Sequence, residues 1–83
     1  MEEIIRDTMR QLSDININAV DIDERIYNCA KVLTMLRMLK AAVGTMTAEM
    51  SNMQFITEWT LRCAKQKKEQ IEFGRELEKR YKK

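Results

Sequence analysis

The sequence predicts an all-α protein, and three observations lead to that prediction. Proline is absent and glycine occurs only as Gly44 and Gly74, so the turn residues that a β-sheet needs are scarce. Apolar residues make up 45% of the chain and charged residues 34%, a balance typical of amphipathic helices. Between Cys29 and Met53, apolar side chains recur at steps of three and four, which is the spacing of one helix face.

Residues 2–12 are predicted to form a short amphipathic helix. The apolar residues that define its face are Ile4, Ile5, Met9 and Leu12. A helix of this length is marginal alone in water, so we expect it to dock on another element. Residues 13–20 are predicted to form a connector whose Ile15 and Ile17 turn inward, with a short edge strand as the alternative.

A second helix is predicted to begin after Asp21. Asp21 can cap it, and Glu24 completes an acidic variant of the capping box. The apolar stripe that follows, called the seam below, runs over residues 29–53. It consists of Cys29, Val32, Leu36, Leu39, Val43, Met46, Met50 and Met53. A seam of this kind lets one helix lie along another, either within the chain or between chains.

Gly44 lies inside the seam and leaves two architectures open. In the preferred interpretation one helix continues over residues 21–82, because the spacing of three and four is kept through Gly44 and one helical glycine costs only about 1 kcal/mol. A rod of that kind needs a second chain to bury its seam. In the alternative Gly44 ends the helix, and a third helix begins with a capping box at Ser51 and Gln54.

Beyond Met53 the chain carries an aromatic pair and then a basic end. Phe55 and Trp59 lie one turn apart and predict either a partner-binding anchor or a core position against the N-terminal helix. The segment 65–83 is mainly charged, and its basic side chains could contact an anionic partner. The candidates for that contact are Lys65, Lys67, Lys68, Arg75, Lys79 and Arg80. Four glutamates interrupt them, which is more typical of a solvated helix end.

Residue chemistry argues against an enzyme. The chain contains no histidine, which removes most general-base, triad and metal-site arrangements. No glycine-rich phosphate loop occurs, so we predict neither a catalytic residue, nor a cofactor, nor a metal site. Cys29 and Cys63 are too few for a disulfide framework and are predicted to be two buried thiols in a reducing, intracellular compartment, the cytoplasm or the nucleus. Neither a secretory leader nor a membrane span is expected.

Together these observations predict a single helical domain that serves as a non-enzymatic scaffold or adaptor subunit. The chain would self-associate as an antiparallel dimer or tetramer, or join a heteromeric helical bundle. The seam would form the interface, with Phe55 and Trp59 at one end of it. One alternative is a small nucleic-acid-binding or regulatory protein that uses the basic C-terminal helix. Another is a three-helix monomer that inhibits or adapts a partner protein through its methionine surface.

Overall fold

In the computed structural model, which describes residues 2–81, the chain folds into three helices without a strand among those residues. Helix α1 spans Glu2–Ser13, α2 spans Ile22–Val43 and α3 spans Ala48–Tyr81. The all-α prediction is confirmed. Residues 82–83, the end of the predicted basic segment, lie outside the described residues.

Helix α1 docks on α2, as its short length requires. Met9 and Leu12 are buried in the core, and the helix ends where the Ser13 hydroxyl donates to the Met9 carbonyl at 2.9 Å. The connector that follows contains no strand. Ile15 and Ile17 are half-buried and pack against the core, as predicted.

Polar contacts tie the connector to the first half of α2. The Asn28 side-chain amide donates to the Asn16 carbonyl at 2.8 Å, and the Arg25 Nε donates to the Ala19 carbonyl at 2.8 Å. Asp21 has extended backbone angles and accepts from the Glu24 backbone N–H at 3.0 Å. This satisfies one of the free N–H groups of the first turn, so the predicted cap at Asp21 is confirmed.

The preferred continuous helix over 21–82 is wrong, because the chain turns at Gly44. Gly44 has a φ of 71° and its N–H donates to the Lys40 carbonyl at 2.8 Å. A glycine in the left-handed conformation with this hydrogen bond is a common way for an α-helix to end. The third helix begins at Ala48 and not at Ser51. Its cap is Thr47, whose hydroxyl accepts from the Met50 N–H at 3.1 Å.

The seam keeps its spacing through this turn for a geometric reason. The loop between the two helices consists of residues 44–47, which is close to the number of residues in one helical turn. The loop therefore leaves the sequence spacing of three and four unchanged while it reverses the chain direction. Spacing alone could not distinguish a helix through Gly44 from a loop of this length.

Helix α3 runs back along α2, and the two halves of the seam face each other in one chain. The buried core cluster joins all three helices and consists of Met9, Leu12, Val32, Leu36, Leu39 and Met50. Half-buried side chains surround it: Ile5, Ile15, Ile17, Met35, Val43, Met46 and Met53. The core therefore occupies the end of the molecule near Gly44.

Helix α3 is longer than α2, at 34 residues against 22, and extends past it. Asp23, in the first turn of α2, pairs with Lys68 at 2.7 Å, and Ala64 is the last buried residue of α3 within the described chain. Residues 69–81 thus continue as a helix of about 20 Å, and neither α1 nor α2 as described runs alongside it. This segment, called the projecting segment below, gives the described molecule its dimensions of 62 × 18 × 16 Å.

Candidate interaction surfaces

The predicted interface residues fall into two groups according to their burial. The seam residues Cys29, Val32, Leu36, Leu39 and Met50 are each at most 5% exposed. Val43, Met46 and Met53 are half-buried and pack against the same core. The continuous-helix interpretation predicts a second chain over the seam, because a rod cannot bury its own seam. The turn at Gly44 provides that covering surface within the chain.

Phe55 and Trp59 are in the opposite situation. They are 71% and 59% exposed, and the neighbouring Ile56 is 56% exposed. The inward side of α3 carries Met50, Thr57 and Ala64, so Phe55 and Trp59 point away from α2. Because both side chains are more than half exposed, the alternative in which this aromatic pair is a core position against the N-terminal helix is wrong.

The exposed side of α3 has a heptad spacing of its own. We call it the outer face, and its residues follow at steps of three and four: Ile56, Trp59, Cys63, Gln66, Gln70, Phe73 and Leu77. Phe73 is 65% exposed and Leu77 is half-buried. The apolar pattern of the sequence does not predict this face, because Gln66 and Gln70 interrupt it. The signal that could have identified it is the apolar residues on both sides of this interruption: Ile56, Trp59 and Cys63 before it, and Phe73 and Leu77 after it.

A shallow hollow lies midway along the outer face. It is open to solvent and is bordered by four exposed side chains of this one helix: Gln66, Glu69, Gln70 and Phe73. In heptad terms these four residues surround one position of a facing helix, which is the arrangement that receives a side chain in knobs-into-holes packing. Arg62 precedes Glu69 by one heptad on the same edge of the outer face.

A second concave surface lies between α1 and α3. It is a groove of about 940 Å³ whose apolar wall includes Ile5, Met9 and Met53. Arg6 and Arg10 line its α1 side and Glu49 lines its α3 side. Thr57 also borders the groove, and its hydroxyl oxygen is buried without a hydrogen-bond partner among the described residues.

The basic end of α3 is spread around the helix. Lys65, Lys67, Arg75, Lys79 and Arg80 are exposed, and glutamates alternate with them. Lys68 is engaged: the carboxylate of Asp23 accepts a hydrogen bond from its ammonium group and thereby raises the pKa of Lys68.

The two cysteines differ in environment. Cys29 is buried and its thiol faces the Ile17 carbonyl at 3.6 Å; burial raises the pKa of this thiol. Cys63 is exposed, and both thiols are free. The prediction of two buried thiols is therefore correct for Cys29 and wrong for Cys63.

Two negative findings concern the described residues. Between residues 2 and 81, acidic and cysteine side chains do not gather in groups of three that could hold a metal ion. Over the same range, every helix is too short or too polar to cross a membrane.

Comparison with protein-family models, curated proteins and solved structures finds no match to this chain.

Proposed function

We propose that this chain is a non-enzymatic protein–protein interaction subunit, a scaffold or adaptor that binds through the outer face of α3. The observation that supports the proposal most directly is the exposure of Ile56 and Trp59 on this face and of Phe55 at its edge. Three large apolar side chains lie within little more than one turn and each is more than half exposed. Clusters of this kind are typical of protein-binding surfaces, and aromatic residues dominate the energetics of such interfaces.

The projecting segment adds a second argument. A solitary helix of this length gains little stability from its own hydrogen bonds in water. Phe73 and Tyr81 within it are 65% and 83% exposed. A partner that covers them would bury apolar surface and stabilise the helix at the same time. The partner is either another copy of this chain or a different helical protein.

Nucleic-acid binding through the basic end has weaker support. A phosphate-binding surface needs several free cations on one side. Here Lys68 is paired with Asp23, and Glu69, Glu72 and Glu76 lie among the remaining cations. Salt dependence separates the two functions, since phosphate-driven binding weakens steeply with salt and apolar association does not.

Site-specific photo-crosslinking tests the proposal. A photoreactive phenylalanine analogue replaces Trp59 in the full chain, and the same analogue replaces Tyr27 on α2 as the matched control. Tyr27 is an exposed aromatic residue on a different helix, with 66% exposure against 59% for Trp59. After irradiation in the native cells, we expect one or a few discrete adducts from position 59 and none from position 27.

The adducts also distinguish the kinds of partner. An adduct with twice the mass of the chain identifies self-association, and an adduct of another mass identifies a different protein. An adduct with DNA or RNA that disappears at high salt would support the basic-end alternative instead. If position 59 produced no adduct, or no more than position 27, the outer face would not be a binding surface and the proposal would be rejected.

A further inference from the structure

We infer that the partner of the outer face is a second copy of this chain, bound antiparallel so that Trp59 of each copy enters the hollow beside Phe73 of the other. This inference rests on the proposed function, because it names the partner and the register for the same surface. Four features of α3 point to it.

The first feature is the division of α3 into a supported and an unsupported half. Up to Lys68 the helix is backed by α2, whereas residues 69–81 project alone. An antiparallel copy places the projecting segment of each chain along the supported half of the other. Both unsupported ends are then covered by one symmetric interface, as is usual for dimers with a two-fold axis.

The second feature is the hollow itself. In an antiparallel pair in which residue 59 lies opposite residue 70, the side chain that faces Gln66, Glu69, Gln70 and Phe73 is Trp59. The largest apolar side chain of the outer face thus meets the open gap between these four side chains, as in knobs-into-holes packing. A tryptophan that becomes buried in an interface is a common hot spot.

The third feature is the apolar match at the ends. The same register sets Ile56, which is 56% exposed, opposite Phe73, which is 65% exposed. Cys63 lies opposite Gln66 at the centre, so the polar glutamines are shared between the copies near the two-fold axis. Polar residues at central heptad positions help to fix one register over others.

The fourth feature is charge. In this register Arg62 of each copy approaches Glu69 of the other on the same edge of the interface, so the two-fold axis creates the ion pair twice. A shift by one heptad, with residue 59 opposite residue 77, would instead set Glu69 against Glu69. Like charges at such positions are unfavourable, so the charges select the first register.

The first experiment measures the mass of the full-length chain by analytical ultracentrifugation over a dilution series. We expect a monomer–dimer equilibrium for the unmodified chain and for Tyr27→Ala. Trp59→Ala should raise the dissociation constant about a hundredfold, the effect of removing an interface hot spot. Because Trp59 is exposed in the monomer, the circular dichroism of this variant should match that of the unmodified chain at dilutions where both are monomeric.

The second experiment tests the register by charge exchange at low salt. Arg62→Glu and Glu69→Arg, each alone, should weaken the dimer about tenfold, because both symmetric pairs become repulsive. The double variant should restore the affinity of the unmodified chain. The combination of Arg62→Glu with Glu76→Arg should not restore it, because that pair meets only in the register shifted by one heptad.

Each contrary outcome has a definite meaning. A chain that remains monomeric at its highest soluble concentration, or a dimer that Trp59→Ala leaves unchanged, would overturn the inference. Restoration by Glu76→Arg in place of Glu69→Arg would overturn the register. None of these results removes the proposed function, which fails if position 59 crosslinks to no protein or gives no more adduct than position 27.

Discussion

Thr57 is a buried polar residue whose hydroxyl gains nothing from folding. It lies on the inward side of α3 with 0% exposure, and among the described residues its Oγ1 has no hydrogen-bond partner. A buried hydroxyl without a partner loses its hydrogen bonds to water, and that loss destabilises the folded state by roughly 1–3 kcal/mol. The same volume could be filled by an apolar side chain at no such loss.

We therefore expect Thr57→Val to stabilise the protein by about 1 kcal/mol. The matched control is Thr60→Val, because the Thr60 hydroxyl donates to the Ile56 carbonyl at 2.8 Å on the exposed side of the same helix. That control should change stability by less than about 0.5 kcal/mol. Urea denaturation of the two variants and the unmodified chain measures the difference. A Thr57→Val variant less stable than Thr60→Val would show that the hydroxyl has a partner.

Individual residues also show where sequence reasoning succeeds. The cap at Asp21 could be predicted because its signal is local: an acidic residue, and Glu24 three positions later at the start of an apolar pattern. The start of α3 could not be predicted in this way, because Thr47 and Ser51 are both competent caps. The cap at Thr47 goes with the packing of Met50 into the core. The exposure of Cys63 could not be predicted for a related reason, since burial depends on which side of α3 faces α2.

At the scale of elements, the decisive position is Gly44. Its φ of 71° lies in the left-handed region, and a Cβ built there would meet no atom within 4 Å. A substitution therefore tests backbone conformation without a steric clash. A non-glycine residue in this conformation is destabilised by about 1–2 kcal/mol.

We expect Gly44→Ala to lower the free energy of unfolding by about 1 kcal/mol. Gly74→Ala is the control, because Gly74 lies inside α3 and its Cβ would also meet nothing within 4 Å. It should favour helix by up to about 1 kcal/mol, which hydrogen exchange of residues 69–81 would detect as slower exchange. If Gly44→Ala instead raised stability, as alanine does inside a helix, the chain would be continuous through this position.

The turn explains how much of the architecture the sequence could predict. The all-α class, the first helix and the start of α2 follow from composition and local spacing. The surface that covers the seam does not follow from the sequence, because an apolar stripe predicts burial without specifying which chain buries it. The loop preserves helical spacing, so the sequence did not reveal the hairpin. On a continuous helix Leu36 and Met50 would lie about 20 Å apart, whereas in the folded chain they belong to one core cluster across two helices.

At the scale of the whole molecule, stability and association depend on different parts of α3. The core lies between α1, α2 and the first half of α3 and ends at Ala64. The projecting segment adds no buried residue to the described chain. It does contribute Gln70 and Phe73, which line the hollow. Folding of the single chain and pairing of two chains can therefore be separated by one truncation.

We expect a chain that ends at Lys68 to fold and to remain monomeric. It keeps the core and the Asp23–Lys68 pair, so at dilutions where the full chain is also monomeric its unfolding midpoint should lie within about 4 °C of the full chain's, a difference below about 1 kcal/mol. At higher concentration the full chain should become more stable through dimerisation, since association stabilises the folded state by mass action. The truncated chain should not.

Thermal unfolding of both chains at low and high concentration measures this difference, with full-length Trp59→Ala as the control that keeps the projecting segment. That control should follow the truncated chain at both concentrations, because it lacks the side chain that the hollow receives. A truncated chain that unfolds far below the full chain even in dilute solution would place the projecting segment in the monomer core. A truncated chain whose midpoint still rises with concentration would place the pairing surface before Lys68 and would contradict the inferred role of the hollow.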